Sequence, residues 1–456
     1  MAGIGFELKR ILKRDTFSSE FKAYLYAALV SSGPWLMSVI CLGILGILRG
    51  TGLSGKEHEI FRSTIIYTYA FSIIYVGSIQ LVATRYLADQ LYLKNEKITL
   101  STFFTCTVLI LVGGGLFAGL FYYSFDISIL HKLSGVVLFM LVSMIWVCMI
   151  FLSVIKDYIS IVYAFAGGTL TSIFAAPYLG KILGTEGYLL GFILGQAIIF
   201  FWLLSKLLIE FPVSGLWNKD LFLYFRKYWD LLVIGFIYNL AIWSDKIVFW
   251  FAPDSRLIIP WFRTHDFYEG AVFYSYLTII PTLALFMVNI ETKFYDHYRH
   301  YYGKIVGKQC LTSIINEKNL MVLMLKDSLR MVFIFQGAIT SVCLVFAPYL
   351  VEMAHLIPVQ IPIFRICLIG SFLQVLLAMN IIILFYFDLR KHVMAVTLLF
   401  LFSNVVFSML TTKLGVQFYG YGYTYACFIS LIYAFHLLDI SLKDLEYITF
   451  AKQPVS

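Results

Sequence analysis

The chain has 456 residues, 61% of them hydrophobic and 13% charged, about half the charged share of an average soluble domain. That balance, with apolar runs of about 20 residues recurring along the whole length, excludes an ordinary soluble protein and places the chain in the membrane class. The net charge of +8 would suit nucleic acid, but the basic residues form no compact domain, and no nucleic-acid partner is expected.

Residues 1–21 read as a basic amphipathic lead-in on the inner membrane surface. The stretch is too polar for a cleavable signal. The first apolar run, about 22–48, contains "LVSSGPWLMSVI", with Gly33 and Pro34 back to back. Proline costs about 3 kcal/mol inside an ordinary helix. Within a membrane, hydroxyls such as those of Ser31 and Ser32 can re-satisfy the freed carbonyls. The pair is therefore either a static kink or a hinge, and Pro281 in the eighth run offers the same two readings.

Further apolar runs follow at about 62–86, 101–123, 134–155, 158–179, 187–209, 228–251, 268–291, 328–351, 363–387, 392–412 and 420–439. Twelve spans place both termini on one side. With that side inside, 24 Lys/Arg face the cytoplasm, nine face out, and Lys246 lies within a span. The bias predicts a cytoplasmic N-terminus and C-terminus.

The expected fold is all-α: twelve transmembrane helices in two six-helix lobes related by a pseudo-two-fold axis along the membrane normal. The lobes are 22–209 and 228–439. A linker at 210–227 carries a second amphipathic helix, a long cytoplasmic loop spans 292–327, and the tail is 440–456. A faint repeat supports the halves. Tyr67, Tyr69 and Asp89 match Tyr274, Tyr276 and Asp296, all offset by 207. Asp157, Gly184 and Gly191 match Asp388, Gly415 and Gly422, all offset by 231, so one insertion in the long loop explains both numbers. Two such lobes are a transporter architecture, with a cleft opening to one side and then the other.

"YNLAIWSDKIVFWF", residues 238–251, is the most polar stretch within a span. Asp245 and Lys246 are candidate pathway groups, since ionisable residues inside a span face a cavity or a partner. Lys246 could instead snorkel to the outer interface. Asn239 shares its face, and Tyr238 shares that of Asp245. Arg85, Glu291 and Lys293 sit at the inner ends of the second and eighth spans, as pathway groups or interfacial anchors. Gln80 is a polar-lining candidate, like other Gln and Asn residues within spans, which are more often interhelical hydrogen-bond partners. Tyr67 and Tyr274 lie deeper, where a flat aromatic face suits the C–H face of a sugar ring.

No catalytic site or cofactor is expected. There is no P-loop, no HExxH and no DxD, and His297 and His300 lack the acidic spacing of a metal site. The seven cysteines include no CxxC pair, so no disulfide framework or metal site is implied.

The opening "MAGIGFELKRIL", the "SSGPW" of the first span and the "SDK" of the seventh resemble the Pel exopolysaccharide transporters, the PelG-like family. The resemblance implies membership of the multidrug/oligosaccharidyl-lipid/polysaccharide (MOP) exporter superfamily. It implies export of an amino-sugar-rich biofilm polymer, rich in N-acetylgalactosamine, across a bacterial inner membrane. It also implies Pel-type membrane partners and a cytosolic glycosyltransferase beside the membrane lipids and the polysaccharide cargo. Two alternatives stay open: a cation-coupled drug or metabolite antiporter of the same superfamily, and a membrane-embedded glycan polymerase or transferase.

Overall fold

The computed structural model describes residues 55–155, 158–212 and 215–452, with Ser18, 22–24, Ala27, 37–38 and 40–46. Gly33 and Pro34 lie outside the described residues. Among the described residues, ten helices are long and apolar enough to cross a membrane. In hydrocarbon every backbone N–H and C=O needs a partner in its own segment, which selects helices.

Residues 32–266 form one compact unit. Its described helices are α1 (Gly55–Tyr92), α2 (Ile98–Tyr123), α3 (Ile129–Ile155), α4 (Tyr158–Glu210), the short α5 (Asp220–Lys227) and α6 (Trp229–Trp250). At ~1.5 Å per residue, the 53 residues of α4 would run about 80 Å, more than two bilayer cores. The helix is broken at Gly184, with φ 62° and ψ −135°, so it contains the fifth and sixth spans. The ten helices thus account for spans two to twelve. Phe61 anchors a core between α1 and α4, with Tyr188 and Phe192 meeting its ring edge-on at 5.9 and 6.3 Å.

After α6 comes a feature that the apolar pattern does not reveal. Strands β1 (Arg256–Ile259) and β2 (Phe262–Thr264) pair antiparallel, with a bulge between Leu257 and Ile259. Ile258, Ile259 and Phe262 are buried in an aromatic cluster with Tyr67, Tyr122, Phe125 and Trp250.

The other unit comprises 1–31 and 267–456. Its described elements are α7 (Asp266–Leu277, starting at the boundary), α8 (Ile280–Asn289), α9 (Tyr295–Val306), α10 (Leu311–Val345), α11 (Ala347–Met353), α12 (Gln360–Tyr386), α13 (Arg390–Leu414) and α14 (Tyr421–Lys443). The long loop expected at 292–327 is mostly helical, made of α9 and the first half of α10. These two helices are joined at Glu317, whose carboxylate lies 2.9 Å from His297 Nδ1 and accepts from Lys304 Nζ at 2.9 Å.

The contact grouping places α6 with α1 to α5. A sequence repeat reports ancestry and a contact grouping reports packing, so the two divisions need not coincide.

Candidate functional site

The polar stretch of α6 lies against α1. The two helices cross where Gly77 meets Gly235. A Cβ on Gly235 would lie 2.0 Å from the Gly77 carbonyl oxygen, and one on Gly77 would lie 2.6 Å from that of Gly235. Only glycine permits this approach. Asn239 sits one turn on, donating from Nδ2 to the Gly235 carbonyl at 2.8 Å. Tyr238 is half-buried and Gln80 is exposed.

Asp245 is fully buried and Lys246 is 8% exposed. The ammonium does not snorkel. It donates to both Asp245 carboxylate oxygens at 3.1 Å and to the Ile242 carbonyl at 3.0 Å, which uses its three N–H groups. It also lies 5.9 Å from the Trp243 ring centroid. The pair is net neutral and locally satisfied. Asp245, Lys246 and Glu317 are the only buried Asp, Glu, Lys or Arg residues among the described residues.

Toward one end of this helix pair, Tyr67 stacks on Trp250 with centroids 4.1 Å apart. Its hydroxyl donates to the Arg263 carbonyl at 2.9 Å and accepts from the Arg263 N–H at 3.1 Å. Tyr67 is therefore a clamp on the hairpin. At the other end, Arg85 pairs with Asp89 at 3.3 Å and lies 5.7 Å from the Tyr228 ring. Tyr224 donates to Asp89 at 3.2 Å, and burial followed by the Asp89 charge holds its hydroxyl above the ordinary phenol range.

Sequence reasoning missed Asn218. This buried side chain donates to Tyr86 Oη at 2.9 Å and to Thr102 Oγ1 at 2.8 Å, while its backbone N–H donates to Thr105 Oγ1 at 2.9 Å. It pins the amphipathic α5 to α1 and α2. The available signal was an Asn two residues ahead of Asp220, whose N–H it accepts at 3.1 Å.

Most other buried polar side chains among the described residues are hydroxyls and amides. In the first unit, Ser38, Tyr69 and Gln196 form a chain at 3.1 and 3.4 Å, and Trp146 donates to Ser72 at 3.2 Å. In the second unit Gln336 pairs with Thr282, Gln374 with Tyr423, and Ser275 with Ser371. Tyr274 is half-buried against Phe273, with centroids 5.3 Å apart. The eighth span is broken after Leu277 and restarts as α8 with Pro281 in its first turn. Lys293 is exposed, and the side chain of Glu291 lies outside the described residues. Tyr67, Gln80, Arg85, Tyr238, Asn239, Asp245 and Lys246 thus share two packed helices. Tyr274, Pro281 and Lys293 belong to the other unit.

Long apolar helices with a hydroxyl- and amide-rich interior define a multi-pass membrane protein, and solved structures of transporters share the fold. A MOP superfamily transporter from Pyrococcus furiosus Vc1 (DSM3638) matches with TM-score 0.62 at 12% identity, covering 93% of this chain and 96% of that one. A multidrug resistance MATE family transporter of the same superfamily matches in its inward-facing conformation with TM-score 0.62, again at 12% identity, covering 93% and 99%. No curated protein sequence matches. The particular family follows from residues 1–450, which match the model described as "PelG: Putative exopolysaccharide Exporter (EPS-E)". The chain belongs to the PelG family.

Proposed function

We propose that the chain exports an amino-sugar-rich, Pel-type exopolysaccharide across a bacterial cytoplasmic membrane, with both termini cytoplasmic. The match to the exopolysaccharide exporter family over residues 1–450 carries this reading. The interior chemistry supports it. Hydroxyls, amides and aromatic rings suit a polyhydroxylated cargo, and the buried Asp245–Lys246 pair adds no net charge. The proposed pathway residues are Asp245, Lys246, Asn239 and Tyr238 of α6, and Gly33–Pro34 and Pro281 are the proposed bending points. Pel-type membrane partners and a cytosolic glycosyltransferase supply the polymer from the inner face, where α5, α9 and the start of α10 offer docking surfaces.

Deleting the chain in its native host tests the reading. Exported polymer should disappear while glycan or its lipid-linked precursor accumulates inside. Loss of all glycan would instead favour a membrane-embedded polymerase, and unchanged export would favour a small-molecule antiporter.

A further inference from the structure

Five non-glycine residues among those described adopt positive φ: Lys94, Trp261, Lys308, His355 and Asp388. Trp261 stands apart. Its φ is 75°, and its side chain is 61% exposed. Ile259 pairs with Phe262, so Pro260 and Trp261 are the two central residues of the β-hairpin turn. Proline followed by a positive-φ residue is the composition of a type II turn, whose second central position normally takes Gly or Asn. A bulky residue held there costs of order 1–3 kcal/mol and persists where its surroundings over-determine it.

The surroundings do so here. Ile258, Ile259 and Phe262 are buried on either side of the turn. Tyr67 holds both backbone groups of Arg263. Arg256 bonds Glu59 at 2.6 Å and Asp266 at 2.9 Å. Phe262 and Thr264 point into the unit, and Arg263 turns back toward the start of the hairpin, donating to Ser255 Oγ at 3.1 Å and lying 6.0 Å from the Phe251 ring, which leaves the Trp261 ring exposed at the tip. The ring is therefore presented on a rigid mount, at a backbone position that disfavours it.

We infer that Trp261 is a saccharide-stacking site, holding the apolar face of an amino-sugar ring of the exported chain. The inference rests on the exporter reading. Membrane interfaces also use exposed tryptophan, but this ring shares its hairpin with a half-exposed ion-pair cluster, Arg256 with Asp266. Those charges favour an aqueous, hydrogen-bonding ligand over hydrocarbon.

Trp261→Gly, Trp261→Phe and Trp261→Leu separate the possibilities. Each full-length chain is assayed in nanodiscs for binding of N-acetylgalactosamine oligosaccharides and in the deletion strain for export. Trp261→Gly should relieve the backbone and match or exceed wild-type thermal stability, yet weaken binding roughly 3- to 10-fold and reduce export. Trp261→Phe should bind and export nearly as wild type, and Trp261→Leu should behave like Trp261→Gly. Wild-type binding and export by Trp261→Leu would overturn the site in favour of a membrane anchor. The same result with Trp261→Gly would reduce Trp261 to a turn residue. In either case, loss of export on deletion would leave the exporter reading standing. Unchanged export on deletion would remove that reading itself.

Discussion

Asp245 and Lys246 are adjacent, so one backbone segment supplies both a buried charge and its counter-charge. Removing one charge leaves the other buried without its adjacent counter-charge. Asp245→Asn should cost about 3–5 kcal/mol, read as a lower melting temperature in detergent or as lost membrane-inserted protein. Asp245→Asn combined with Lys246→Met should recover most of that loss. A double variant no better than the single one would show that Asp245 answers to groups other than Lys246. Asn218 makes a second prediction. Asn218→Ala leaves Tyr86 and Thr102 without this partner, at a cost of at least about 2 kcal/mol. The amphipathic α5 should then become accessible to protease before the rest of the unit melts.

Among the helices, glycines decide where chains break and where they touch. Gly184 and Gly415, equivalent by the 231-residue offset, both have positive φ, 62° and 97°, and each separates two consecutive spans. Gly191 and Gly422, at the same offset, both lie against the backbone of a neighbouring span. A Cβ would come 2.4 Å from Ala176 in the first case and 2.6 Å from Phe407 in the second. Each half of the repeat therefore uses its matched glycines for the same two tasks. Alanine at Gly184 or Gly415 should cost about 1–3 kcal/mol, because positive φ with an extended ψ, −135° and 176°, is a region open essentially to glycine alone. Alanine at Gly191 or Gly422 should cost more, because backbone must move. Thermal melts of the four variants would order them, and an inverted order would contradict the packing account.

For the molecule as a whole, orientation is the property that one label can test. Cys310 is exposed in the turn between α9 and α10, whereas Cys41, Cys106, Cys148, Cys367 and Cys427 are buried and Cys343 is half-buried within α10. If that turn faces the cytoplasm, a membrane-impermeant maleimide should label inside-out vesicles at Cys310 and leave intact spheroplasts unlabelled. The opposite pattern would reverse the proposed topology. Cys310→Ser should abolish the signal in either case.

Class, span positions and the mostly neutral character of the interior were legible from the residues in order. Hydrocarbon leaves backbone groups no partner but their own helix, so an apolar run of about 20 residues already specifies a helix. The paired glycines were legible as a repeat. The break between the runs 158–179 and 187–209 was legible too, but the close packing of Gly191 and Gly422 was not, because it depends on which backbones touch. The extent of α10 was hidden as well, since its first half is amphipathic and lies outside the apolar run. What depended on three-dimensional contact was the use of each polar side chain. Tyr67 grips a hairpin and Asn218 anchors a surface helix because their partners lie up to 196 residues away in the chain, and Lys246 turns to the adjacent Asp245 where packing buries both. The hairpin itself has strands of four and three residues, too short for any periodicity to register. Its buried root in the aromatic cluster and its ion-paired flank are what allow a tryptophan to occupy a turn position that local preference would assign to glycine.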